Sequence, residues 1–260
     1  MQCLKRPLYQ KNLELYYQTD ISRSLHQQDK MADKEEIINP YKEGESYPCR
    51  VYRKLDINEQ LVMFADPADS QDFCAAVAFS KKHFDFPIVF NEVMESSQFG
   101  YELMNLGKYI QVRTNLWPKL AVERNTGQAT IFVLQQNNYP DMFRMVDFSS
   151  QSVQEKGHVG WTTTGHISGG ELKGTRRKML DDLALAIKQG KLKIYDKQQI
   201  DQLKSFVIVK GRAQARAKKH DDLVMATAGA WQVAQVTPDT DFGEFEPERM
   251  RSHREKWRFK

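Results

Sequence analysis

Between residues 50 and 93 the chain is written in short apolar runs separated by turns, and this pattern constrains its fold more than any other. The runs are Arg50 to Arg53, Leu61 to Asp66, Phe73 to Ser80 and Pro87 to Val93. Their length and spacing predict three to four sheet strands in succession. The period then changes. Ser96 stands as an N-cap before Phe99, Leu103, Leu106 and Tyr109, which recur at helical spacing, so a helix ending near 107 to 109 follows the strands. A strand from Lys119 to Glu123, a helix from about Thr126 to Gln136 and a strand from Met142 to Val146 continue the alternation. Helices interleaved with strands predict an α/β fold.

The stretch from Asp147 to Gly170 is rich in Ser, Thr, Gly and Gln; it reads as a hairpin or loop with a short strand at Val159 to Thr163. Helices are predicted over Arg177 to Lys188, stopping at Gly190, and over Lys197 to Lys204, followed by a strand from Phe206 to Val209. Asp221 or Asp222 then starts a strongly apolar helix, Leu223 to Val236, which Pro238 ends. Residues 1–45 are polar and broken by Asn39-Pro40 and Gly44, and 238–260 are charged and aperiodic. The reading is a polar tail or linker, one domain over 46–237 and a charged C-terminal tail.

A hydrophobic fraction of 40% over 260 residues is enough for a sizeable core. No window approaches the roughly 18 apolar residues of a membrane span, and the N-terminus lacks the layout of a secretory signal, so a cytoplasmic protein is expected. Cys3, Cys49 and Cys74 are widely spaced, without a CxxC pair or a histidine at zinc-ligand distance, and read as free thiols. The net charge of +4 is unevenly spread: residues 171–220 hold 14 basic and 5 acidic side chains. That half suits a polyanion, although a solvated helix face carries the same signature.

Three of the predicted core elements begin or end in acid. Asp66 closes Leu61-Val62-Met63-Phe64-Ala65, Glu123 closes Leu120-Ala121-Val122, and the pair Asp221/Asp222 opens the last helix. Carboxylates on rigid strand ends and a helix start suit Mg²⁺, which takes hard oxygen ligands, and two such ions serve in-line phosphodiester displacement. Taken singly, each has a plainer role. Asp66 precedes Pro67 and suits a turn, and an aspartate at a helix start is an N-cap worth about 1 kcal/mol. Glu123 is harder to explain that way, because Glu is disfavoured in strands.

Three motifs resemble the RNase H-like nuclease domain of the large terminase subunit of tailed bacteriophages. They are Phe64-Ala65-Asp66-Pro67-Ala68-Asp69 followed by Asp72; Val122-Glu123-Arg124-Asn125-Thr126-Gly127; and His220-Asp221-Asp222-Leu223-Val224-Met225-Ala226. Gly160-Trp161-Thr162-Thr163 and the basic helix after it are also similar, so the resemblance covers about residues 50 to 236. It implies an RNase H-like fold, a central mixed sheet flanked by helices. It further implies two Mg²⁺ or Mn²⁺ ions, with Asp66 bridging them, Glu123 holding one, and Asp222 or Asp221 completing the site. His220 is then an outer ligand or proton-transfer group, and Asp69 and Asp72 are second-tier candidates.

The implied activity is cleavage of double-stranded DNA during genome packaging in the bacterial host cytoplasm. A terminase ATPase domain or subunit, the small terminase subunit and the portal are the implied partners. Lys173, Arg176, Arg177 and Lys178, clustered at a helix start, are the phosphate-contact candidates. Trp161 is the tryptophan assigned to DNA, whereas Trp117 and Trp231 read as core. Two departures matter. No G-x-x-x-x-G-K-[ST] phosphate loop occurs, so the chain is expected to be an excised nuclease domain, a split subunit or a truncated product rather than a whole motor. Ser70-Gln71 also stands where a glycine often follows the second acid of the first motif. The rival readings are another RNase H-like nuclease, such as a junction resolvase, and a noncatalytic DNA-binding or motor-docking subunit.

Overall fold

Alternation of side chains along a strand sends successive residues to opposite faces of a sheet, and here both faces are apolar. Five strands form the central sheet: β1 (Cys49–Val51), β2 (Leu61–Asp66), β3 (Phe73–Ser80), β4 (Asp85–Val93) and β5 (Lys119–Val122). Their order is β1-β4-β3-β2-β5. The first three pairings are antiparallel and β2–β5 is parallel, so the sheet is mixed. The computed structural model describes residues 48–68, 72–145, 157–164, 166–168, 171–209, 212–215 and 220–240, with 166–168, 171–173, 207–209 and 212–215 described by their backbone.

Three two-stranded ladders accompany the sheet among these residues: β6 (Arg144–Met145) with β7 (His158–Val159), β8 (His166–Ser168) with β9 (Glu171–Lys173), and β10 (Phe206–Val209) with β11 (Arg212–Ala215). The helices are α1 (Ser96–Thr114), α2 (Gln128–Gln136), α3 (Thr175–Lys188), α4 (Lys197–Ser205) and α5 (Asp222–Val236). Leu61, Met63, Leu120 and Val122 face α1 and α2, while Val62, Phe64, Val77 and Ala121 face α3, α4 and α5. The two cores thus lie on opposite sides of one sheet.

Two local expectations are corrected. Helix α1 runs through Gly107 to Thr114, and Asn115, left-handed at φ 64°, ends it. Gly107 is there for clearance: a Cβ would lie 2.8 Å from the Tyr139 ring and 2.9 Å from that of Trp117. The N-cap of α1 is Glu95, and Ser96 instead donates its hydroxyl to the Ala68 carbonyl at 3.0 Å, tying α1 to the loop after β2. No described helix is long and apolar enough to cross a membrane. Cys49 and Cys74 are buried free thiols.

Candidate metal centre

Asp66 is the last residue of β2, and Glu123 follows the last residue of β5. The parallel register pairs Ala65 with Val122, and the Glu123 amide donates to the Ala65 carbonyl at 2.8 Å, so Asp66 and Glu123 stand side by side. Two residues earlier on each strand, Phe64 and Ala121 point into the α5 core. A period of two therefore puts both carboxylates on the α5 face.

Helix α5 lies close against β2. A Cβ added at Gly229 would stand 2.3 Å from the Phe64 ring, so only glycine lets the helix approach this far. At its start the helix carries Asp221 and Asp222 to the ends of β2 and β5, where both charges act on Asp66. The structure thus gathers Asp66, Glu123, Asp221 and Asp222 from three elements far apart in sequence.

Each carboxylate is held differently. The Glu123 Oε2 accepts from the Asn125 amide at 2.8 Å and the Thr126 amide at 3.3 Å, which fixes the side chain. Thr126 in turn donates its hydroxyl to the Pro67 carbonyl at 2.6 Å, joining the loops after β5 and β2. Asp221 occupies the N-cap position of α5 without capping it; its Oδ2 accepts from Arg176 of α3 at 3.0 Å. The capping duty falls to Gln202 of α4, whose Oε1 accepts from the Leu223 amide at 2.9 Å. The plainer reading of Asp221 as the helix cap is therefore not what the structure shows. Asp222 is left with a buried Oδ2 that has no hydrogen-bond partner.

The electrostatics match this crowding. Burial pushes the Asp66 carboxyl well above the usual carboxylate range, and the charges of Glu123, Asp222 and Asp221 push it further, with Arg176 pulling the other way. Asp222 is raised to about 6, first by burial and then by Asp72 and Asp221, against the opposing effect of His220. An acid cluster in which Asp66 and Asp222 resist ionisation, the latter with a buried oxygen lacking a hydrogen-bond partner, is chemically suited to a hard divalent cation. The donor set fits Mg²⁺ or Mn²⁺.

Among the second-tier candidates, His220 and Asp72 join the rim of the site. The His220 Nδ1 lies 3.4 Å from Asp72 and 3.8 Å from Asp222, and its ring meets Phe73 edge-on. Asp72, His220 and Asp222 are close enough to share an ion. Asp69 lies outside the described residues, as does the side chain of Lys173. Asp56, Glu59 and His83 form another acid–histidine group, but Lys82 and Arg53 already engage its carboxylates.

The basic cluster divides sharply. Arg177 pairs with Asp181 and Lys178 with Asp182 along their own helix, whereas Arg176 reaches across to Asp221. Trp161 corrects an expectation: it is 8% exposed and packs on Phe143 in the α5-side core, so it has no open face for a base. Its backbone continues the sheet instead, pairing with Glu123, with the Trp161 amide donating to the Val122 carbonyl at 2.8 Å. Trp231 is buried as expected. Sequence reasoning missed Gln202 and the Arg176–Asp221 pair. Only the polar residues Gln199 and Gln202, three apart on the inner face of a short amphipathic helix, hinted at the first.

A mixed sheet in this order, helices on both faces and acids at adjacent strand ends define an RNase H-like α/β domain. Neither a family model nor a curated protein matches the sequence. Among solved structures, the chain is similar to the large terminase nuclease from thermophilic phage G20c. The TM-score is 0.53 at 17% identity, over 77% of this chain and 95% of that one. The magnesium-bound form of that nuclease gives 0.52 at 17% identity, over 77% and 94%. The cobalt-bound form gives 0.50 at 16%, over 75% and 92%. The chain has the fold of large terminase nuclease domains.

Proposed function

We propose that this chain is the nuclease part of a DNA-packaging terminase, a divalent-metal-dependent endonuclease that cuts double-stranded DNA by two-metal phosphodiester hydrolysis. The observation that carries the proposal is the meeting of Asp66, Glu123, Asp221 and Asp222 at the ends of β2, β5 and α5. Residues 46–237 form the nuclease domain in this reading. Likeness in fold to a nuclease with magnesium-bound and cobalt-bound forms supports the choice of chemistry.

Asp66, Glu123 and one or both of Asp221 and Asp222 would hold the ions. Bound divalent cations supply Lewis acidity at the phosphate and lower the pKa of the attacking water. The chain supplies the frame: two strand ends locked in register, a glutamate fixed by two amides, and a helix start capped by Gln202 so that Asp221 is not spent on capping. Arg177 and Lys178, on the first turn of α3, offer side chains exposed enough to meet DNA phosphates, contacts that position a duplex without reading its sequence. The ATPase, the small terminase subunit and the portal are the partners this function requires, during phage assembly in the host cytoplasm.

The test is plasmid nicking. Supercoiled DNA is incubated with the protein and Mg²⁺ or Mn²⁺, with EDTA as control, for wild type and for Asp66→Ala, Glu123→Ala and Asp222→Ala. Each substitution is expected to lower cleavage by at least about 10²-fold, on the scale of losing a group that acts on transition-state charge. Metal-dependent nicking that survives all three sinks the assignment. Salt-sensitive DNA binding without cleavage by the wild type points to the noncatalytic subunit instead.

A further inference from the structure

Arg176 is the one basic residue of the α3 start described as reaching into the carboxylate cluster, and its placement is built rather than incidental. Its backbone amide donates to the Thr164 carbonyl at 3.1 Å. The neighbouring Thr175 hydroxyl donates to the Thr162 carbonyl at 2.9 Å and accepts from the Thr164 amide at 2.8 Å. Residues 162–164 continue from Trp161, which pairs with Glu123. A chain of backbone and hydroxyl contacts therefore runs from the backbone at Glu123 to the helix turn that carries Arg176. The guanidinium meets the Asp221 Oδ2 at 3.0 Å, and its charge is also felt by Asp66. Arg177 and Lys178 are engaged by Asp181 and Asp182 and contribute nothing comparable.

We propose that Arg176 is a resident countercharge that occupies the metal side of Asp221 when no ion is bound, is displaced when a divalent cation enters, and is then free to meet the DNA phosphate. The inference rests on the reading of Asp221 as part of the metal centre. Four crowded carboxylates without a cation repel one another, and a guanidinium offsets part of that repulsion. A cation arriving at Asp221 must compete with it for the same oxygen and meets a like charge. The pair is about one-third exposed on both sides, at 31% and 33%, so the swap is a mild one and solvent can take up the released guanidinium. Guanidinium is also the group best matched to a phosphate by its planar donor fork, which gives the released side chain a second partner. Metal loading and grip on DNA become linked through one side chain.

The experiment measures metal binding without DNA and without turnover. Mn²⁺ is titrated by calorimetry into the full chain, as wild type and as Arg176→Gln. Removing the competitor is expected to tighten Mn²⁺ binding by about three- to fivefold, the scale of a partly exposed ion pair. Arg176→Lys, which keeps the charge but loses the fork, is expected to fall between them. Equal or weaker binding by a folded Arg176→Gln overturns the exchange while leaving the metal centre standing. Wild type that binds no Mn²⁺ overturns the metal centre itself, and the exchange with it. A second readout needs only the wild type: the Nε–H resonance of Arg176 in the ¹⁵N-arginine-labelled protein is expected to move on adding Mg²⁺. A resonance that stays fixed at saturating Mg²⁺ overturns the displacement even if the variants do not fold.

Discussion

Replacing Asp222 by Asn is expected to stabilise the metal-free protein at neutral pH. The side chain is only 14% exposed, its Oδ2 is buried without a hydrogen-bond partner, and its carboxyl is raised from 3.8 to about 6. The folded state therefore binds this proton more tightly than the unfolded state does. Below pH 3.8 both states are protonated and the group costs nothing. Between 3.8 and about 6 the cost grows as pH rises, and above 6 it is present in full. A rise of this size corresponds to about 3 kcal/mol, an upper bound because the unfolded chain and local relaxation absorb part of it. Asn keeps the shape and removes the charge. Urea unfolding in EDTA at pH 8 and at pH 4 measures the effect directly. The variant is expected to exceed wild type by about 1–3 kcal/mol at pH 8, with the gap shrinking towards zero at pH 4. Mg²⁺ is expected to raise the stability of wild type at pH 8 and to do much less for the variant. A variant less stable than wild type at pH 8, or a gap that does not depend on pH, refutes the account of Asp222 as a charge held at a cost for a cation.

Two further outcomes test the frame around the centre. Gly229→Val places a Cβ 2.3 Å from the Phe64 ring where ordinary contact begins near 3.4 Å. Thermal or urea unfolding is expected to show a loss of about 1–3 kcal/mol, and adding Phe64→Leu is expected to return part of it; additive losses would mean the clash is elsewhere. Arg53 binds both oxygens of the buried Asp85, at 2.7 Å each, and also both oxygens of the buried Glu59. Arg53→Ala is expected to cost about 3–5 kcal/mol by urea unfolding, since two carboxylates lose their countercharge; a loss below 1 kcal/mol contradicts that role.

The strands were legible because their apolar runs end in turns: β2 and β3 of the central sheet, and β10 outside it, fall on their expected residues. Helix α1 was misjudged because Gly107 reads as a stop in sequence, whereas in three dimensions it makes room for two aromatic rings. The acids were legible as element ends, but their convergence was implied only by the family resemblance, since it depends on β5 joining β2 in parallel beyond a long connection. The division of labour at α5 was hidden for a different reason. Whether an aspartate at a helix start caps that helix depends on what else reaches the first amides, and here Gln202 does so from a separate helix. Trp161 misled because a tryptophan among Gly and Thr looks exposed, while its ring is enclosed by the neighbouring Phe143 and the α5-side core.

The parallel pairing of β2 with β5, closed over by α5, also has a kinetic side. Local hairpins such as β2–β3–β4 form early, whereas a parallel pair across a long connection must first meet the entropy of closing that loop. Asp66 and Glu123 come together only when that late pairing is made, and Asp222 arrives only once α5 has docked. A partly folded chain thus carries every acid of the cluster yet cannot assemble it, so the gathering of the four carboxylates is a late result of folding.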